Sequence, residues 1–163
     1  MNILFRIVNK FFNIHNILRI HEYQKLITGK NYRLGYDVYM QYPENIQIGS
    51  DTYINSGLIY ASPNATIKIG DNCLISYNVH IRTDSHNYKN SKEYIKNQGN
   101  FEKNIVIGND VWIGYGAQIM PGIEIADGCV IGAGAIVTHS TEKYGVYGGG
   151  PARKIGMRED EDL

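Results

Sequence analysis

The chain has 163 residues and 18.4 kDa, enough to bury one sizeable core but short of a typical pair of domains, so one unit is expected over 1–163. Sixteen Lys and Arg balance sixteen Asp and Glu, which removes the electrostatic case for a nucleic-acid partner. Two cysteines, an N-terminus broken by Arg6, Asn9, Lys10 and Asn13, and the lack of any apolar run long enough to cross a bilayer argue against a secreted disulfide scaffold or a membrane span, and point to the cytoplasm.

Composition favours β structure, with 24 Ile and 18 Gly against only 4 Pro. The first element, residues 1–27, differs from the rest. Its apolar positions Ile3, Leu4, Ile7, Val8, Phe11, Ile14 and Leu18 recur at three and four, as on an amphipathic helix, and Arg6, Lys10, Arg19 and Lys25 against Glu22 make it net +3. Such a segment either closes the end of the following structure, which is the reading adopted for residues 1–30, or lies against a membrane surface.

From Leu34 onward a six-residue period sets in. It runs weakly through Leu34 and Met40, then through Ile48, Ile54 and Tyr60, through Ile69, Ile75 and Ile81, and through 107, 113, 119, 125, 131 and 137 without a miss. The next residue after each aliphatic is small or polar, with Met120 the exception, and the fourth is small or apolar, the class to which Cys73 and Cys129 belong. A helix at 3.6 residues per turn smears such a period around its axis, and a hairpin sheet shows period two. Six residues suit a short strand plus a bend, three of which close a triangular coil, with glycines at corners that need unusual backbone angles. Between Ile81 and Ile105 the period lapses in a segment rich in Asn, Lys and Tyr, read as a loop over about 82–104 thrown out of one coil. The expected division is a helical segment at 1–30, a solenoid over 34–140 and a C-terminal segment at 141–163.

These hexads resemble the left-handed β-helix hexapeptide-repeat acyltransferases. Residues 107–125, Val130–Val137 and Gly149-Gly-Pro-Ala-Arg153 follow that family's order without a gap, and the likeness is greatest to the maltose and galactoside type of sugar O-acetyltransferase. The resemblance implies an all-β, left-handed parallel β-helix that packs as a homotrimer and uses acetyl-CoA as donor. It implies acetyl transfer to a sugar or glycan hydroxyl in surface polysaccharide or glycoconjugate assembly. Transfer to an amino-sugar nucleotide or an antibiotic, and a scaffold without catalysis, are the alternatives.

Site residues follow from the same resemblance. His86 stands five residues after Ile81, where the family has its catalytic histidine; imidazole, with an ordinary pKa of about 6.5, can take a hydroxyl proton near neutral pH. Asn55 occupies an acceptor-contacting position, although a corner asparagine in a left-handed conformation is an equal reading. Asp84 either orients the ring and touches the acceptor or is merely solvated. Trp112, the only tryptophan, falls at an outward position where relatives line the active site near the pantetheine arm. Tyr115 offers the backbone N–H expected at the thioester carbonyl, and Ala133, Thr138, His139 and Arg153 match the coenzyme A channel. His139 departs from the usual Lys. A second basic position is Gly156 here, so coenzyme A affinity is expected either to be lower or to be borne by Lys154 or Arg158. His80, His86 and His139 lack metal-ligand spacing, so no metal is expected.

Overall fold

A computed structural model describes residues 3–158 of the chain. After helix α1 (Ile3–Leu26) the chain winds into about five coils of a left-handed parallel β-helix. The first two coils hold β1 (Arg33–Gln41), β2 (Ile46–Ile48), β3 (Tyr53–Tyr60) and β4 (Ile67–Ile69). The third holds β5 (Leu74–Ile75) and β6 (Val79–Arg82), then leaves the coil through β7 (Asp84–His86) and β8 (Asn100–Glu102), and returns at β9 (Ile105–Ile107). Next come β10 (Trp112–Ile113), β11 (Gln118–Ile119) and β12 (Glu124–Ile125), then β13 (Val130–Ile131) and β14 (Ile136–Val137), and finally β15 (Gly145–Gly148) with β16 (Arg153–Met157).

The six-residue period becomes three vertical stacks of side chains. Ile54, Ile75, Ile113 and Ile131 lie in register on the first face, Ile81, Ile119 and Val137 on the second, and Ile48, Ile69, Ile107 and Ile125 on the third. All are sealed from solvent. Each such burial is worth about 1.5–3 kcal/mol, so the column supplies most of the driving force. Cys73 and Cys129 are buried small residues of the second inward position. Their thiols face the Gly108 carbonyl at 3.1 Å and the Glu142 carbonyl at 3.0 Å, and burial pushes the Cys73 thiol up into the protonated form.

The frame slips once. Ile59, not Tyr60, joins Met40 and Ile81 in the core, while Tyr60 and Leu58 face outward and are half-buried. The slip is taken up at Gly57, with φ +139°, where a Cβ would sit 2.0 Å from the Val79 carbonyl oxygen.

The glycines that follow the aliphatic residues serve closeness rather than unusual angles. At Gly70 a Cβ would lie 2.6 Å from the carbonyl oxygen of Gly108 in the next coil. Left-handed backbone falls two positions later, at Asp51, Asn72, Asn78 and Asp110 and then at Gly116, Gly122, Gly128 and Gly134. Down one corner the side chains form a ladder. Asp71 Oδ1 accepts from the Ser50 N–H at 2.7 Å, Asn109 Oδ1 from the Asp71 N–H at 2.9 Å, and Asp127 Oδ1 from the Asn109 N–H at 2.8 Å. These bonds satisfy corner amides that the strand ladders leave unpaired.

Two expected elements gain detail. The excursion over 82–104 carries its own pairing: β7 and β8 pair antiparallel, and Gln98 Nε2 donates to the carbonyls of Asn90 and Glu93, both at 2.9 Å, to close its tip. Helix α1 touches the first coil through its C-terminal half only. Asn16 and Ile20 are buried and Tyr23 is half-buried there, Arg19 lies 4.0 Å over the Tyr39 ring, and the predicted apolar stripe is turned to solvent.

Candidate active site

The hairpin that carries His86 is pinned at its base. Thr83 donates its N–H to Tyr60 O at 3.0 Å, its hydroxyl pairs with that of Ser62 at 2.7 Å in a buried position, and Lys103 N–H reaches Thr83 O at 2.8 Å. His86 is paired with Asn100 across β7 and β8, and Asn100 Oδ1 lies 2.6 Å from Nδ1 of the ring. An amide oxygen only accepts, so Nδ1 donates, and in the neutral ring the lone pair is on Nε2. The ring is exposed, open to an incoming molecule. This is a histidine held in the tautomer a general base needs.

Asp84 does not orient the ring. Its carbonyl accepts from Arg82 Nε at 3.0 Å, and its carboxylate makes no hydrogen bond to His86. Sequence reasoning missed Asn100 because nothing local distinguishes it among the asparagines of this segment. Only the pairing of β7 with β8 selects it.

Asn55 sits in β3, lining a shallow recess of about 360 Å³ with Arg33 and Tyr53. It is not a left-handed corner residue; Asn78 is. Trp112 is outward and 51% exposed, on the first face between Leu74 and Val130. Among the described residues, neither Trp112 nor Asn55 shares a hydrogen bond or a recess with His86. Tyr115 is an exposed corner residue whose N–H, like those of Tyr77 and Ala133 at the equivalent corners, donates to no group among the described residues. Its hydroxyl accepts from Asn78 Nδ2 at 2.9 Å.

The residues expected to line a coenzyme A channel gather at the last coil. Ile136 N–H donates to Gly149 O at 2.9 Å and Ala152 N–H to Ile136 O at 2.8 Å, which sets Arg153 beside the strand that leads into Thr138 and His139. All four expected residues are exposed, and the Thr138 hydroxyl is 2.9 Å from His139 Nδ1. Arg153 makes no ion pair among the described residues. Lys154 and Arg158, the expected substitutes, are engaged by Glu142 and Asp110, each at 2.7 Å.

A cleft of about 740 Å³ lies away from His86 and runs along the corner between the first and second faces. Asp37, Tyr39, Tyr77, Asn78, His80 and Tyr115 line it. Metal-ligand spacing alone does not single out His80, but Val79 and Ile81 on either side are buried, which turns it outward into this cleft. Its Nε2 is buried without a partner, Tyr60 packs edge-on at 5.9 Å, and burial, aided by Arg82, pushes the ring below the ordinary imidazole pKa. Among the described residues no three His, Cys, Asp or Glu side chains cluster.

Comparison with known proteins agrees with this geometry. Residues 104–139 match the family described as bacterial transferase hexapeptide (six repeats). The galactoside O-acetyltransferase of Escherichia coli (strain K12) is 40% identical over 135 residues, 83% of this chain, and the match spans only 65% of that relative's own length. A maltose O-acetyltransferase from Clostridium difficile 630 superposes with a TM-score of 0.78 at 27% identity, covering 98% of this chain and 90% of that one. A galactoside acetyltransferase in complex with coenzyme A gives a TM-score of 0.66 at 34% identity, covering 79% and 66%. With its hexads, triangular coil and histidine-bearing hairpin, the chain is a left-handed β-helix of hexapeptide repeats, similar to the galactoside and maltose O-acetyltransferases.

Proposed function

We propose that this chain transfers acetyl from acetyl-CoA to a hydroxyl of a sugar or glycan, with His86 as general base, in surface polysaccharide or glycoconjugate assembly in the cytoplasm. The observation that carries this reading is the 2.6 Å contact between His86 Nδ1 and Asn100 Oδ1, which leaves Nε2 as the proton acceptor. The relatives named for galactoside and maltose, and the one bound to coenzyme A, support the choice of acceptor class and donor.

Nε2 takes the acceptor hydroxyl proton as that oxygen attacks the thioester carbon. The new C–O bond forms, the C–S bond breaks, and the imidazolium returns its proton to the departing thiolate. The Tyr115 N–H stabilises the oxyanion formed on the carbonyl oxygen. Asn55 and Asp84 contact the acceptor. Ala133, Thr138, His139 and Arg153 line the coenzyme A channel, where the Arg153 guanidinium grips a phosphate. Because Trp112 and His86 lie apart within one chain, the reading includes a homotrimer in which Trp112 of one copy faces His86 of the next.

Transfer of labelled acetyl to a panel of sugars, sugar nucleotides and glycan oligosaccharides tests this reading. Label released by mild alkali is an ester and supports it. Alkali-stable label is an amide and overturns the hydroxyl assignment.

A further inference from the structure

Helix α1 is docked by one half and bare on the other. Asn16, Ile20 and Tyr23 face the first coil, whereas Ile7, Val8, Phe11, Phe12, Ile14 and Leu18 are all exposed, Phe11 at 69%. At 100° per residue Ile7, Phe11, Ile14 and Leu18 fall within about 60° of the helix circumference, opposite the docking line, while Val8 and Phe12 lie toward that line. Bare apolar surface of this extent on a soluble fold marks a contact site.

Charge selects what covers it. Residues 1–21 contain no Asp or Glu, and residues 1–27 carry +3 while the remainder of this neutral chain sums to −3. Lys10 lies one turn from both Ile7 and Ile14, on the border of the stripe, and Arg6 lies one turn before Lys10. Such cations can reach out while the apolar side chains go down. Copies of this helix packed on one another would bring Arg6 and Lys10 against like charges with no acid to pair them, so self-association is disfavoured. The helix is also not long and apolar enough to cross a membrane. A helix with Phe, Ile and Leu on one half and Lys and Arg along its border fits the plane of an anionic bilayer.

We propose that α1 is an amphipathic anchor that seats the protein on anionic phospholipid surfaces, with Ile7, Phe11 and Ile14 immersed and Arg6 and Lys10 at the headgroups. The inference is independent of the acetyltransferase reading.

Co-sedimentation of the full chain with phosphatidylcholine vesicles, with and without phosphatidylglycerol, tests it. Three forms are compared: wild type, Phe11→Glu/Ile14→Glu, and Arg6→Glu/Lys10→Glu. Neither variant alters a docking residue, and a thermal melt checks that the solenoid stays folded. The expected result is binding to the anionic vesicles that weakens with salt and falls by about tenfold or more in both variants. Absence of vesicle binding by wild type, or equal binding by the variants, overturns the proposal. So does a drop in oligomeric mass on Phe11→Glu/Ile14→Glu without any wild-type vesicle binding, which assigns the stripe to a second copy of the chain.

Discussion

Asn100 faces His86 directly across the β7–β8 hairpin, with its amide oxygen 2.6 Å from the ring Nδ1. The amide fixes the tautomer but, unlike a carboxylate, adds no negative charge to stabilise the imidazolium. Asn100→Asp should therefore keep the orientation and favour the protonated ring, moving the acid limb of kcat/KM to higher pH. Asn100→Ala should lower kcat by about 10- to 100-fold with the KM for acetyl-CoA little changed. Full pH–rate profiles of the three enzymes check both.

His80 makes stability depend on pH. Its folded pKa lies below the ordinary 6.5, mainly through burial, so the unfolded chain takes up the proton first. Stability should be full above 6.5 and decline as pH falls from there toward the lower folded pKa. In His80→Gln the slope of Tm against pH over this window should flatten. An unchanged slope counts against the assignment.

Gly70 and Gly116 are both hexad glycines but should respond differently. A Cβ at Gly70 meets backbone 2.6 Å away, so Gly70→Ala should cost about 3 kcal/mol. At Gly116 nothing lies within 4 Å and only φ +66° is demanding, a conformation that Asn72 and Asn78 already adopt. Gly116→Asn should change stability by less than about 1 kcal/mol. Urea unfolding of both variants distinguishes close approach from backbone angle.

Arg153 is the basic side chain of the last coil that carries no carboxylate partner among the described residues, while Lys154 and Arg158 are paired. Arg153→Ala should raise the KM for acetyl-CoA by about tenfold, the scale of one lost charged hydrogen-bonding group, and Lys154→Ala by far less. Steady-state titration with acetyl-CoA separates the two.

The solenoid was legible because an inward Ile every sixth residue has one economical geometry, and Ile113, Ile119 and Ile125 occupy the positions that the period assigns. Legibility failed where the backbone broke the period. Gly57 absorbs a one-residue slip that turned Tyr60 outward, and no local pattern announces it. His86 was legible through family order, but its partner Asn100, fourteen residues away, required the antiparallel pairing. The helix was legible as amphipathic, whereas the direction of its apolar face depends on Asn16 and Ile20 being the residues that dock on the first coil. Asn55 and Asn78 are alike in sequence, and only the coil geometry tells the strand residue from the left-handed corner.

The central claim is that His86 removes the acceptor proton, and the most direct measurement is acetyl transfer from acetyl-CoA by wild type and His86→Ala at matched acetyl-CoA saturation. The predicted result is a fall in kcat of about 10²-fold or more with acetyl-CoA affinity retained. Activity within a few-fold of wild type would contradict the account.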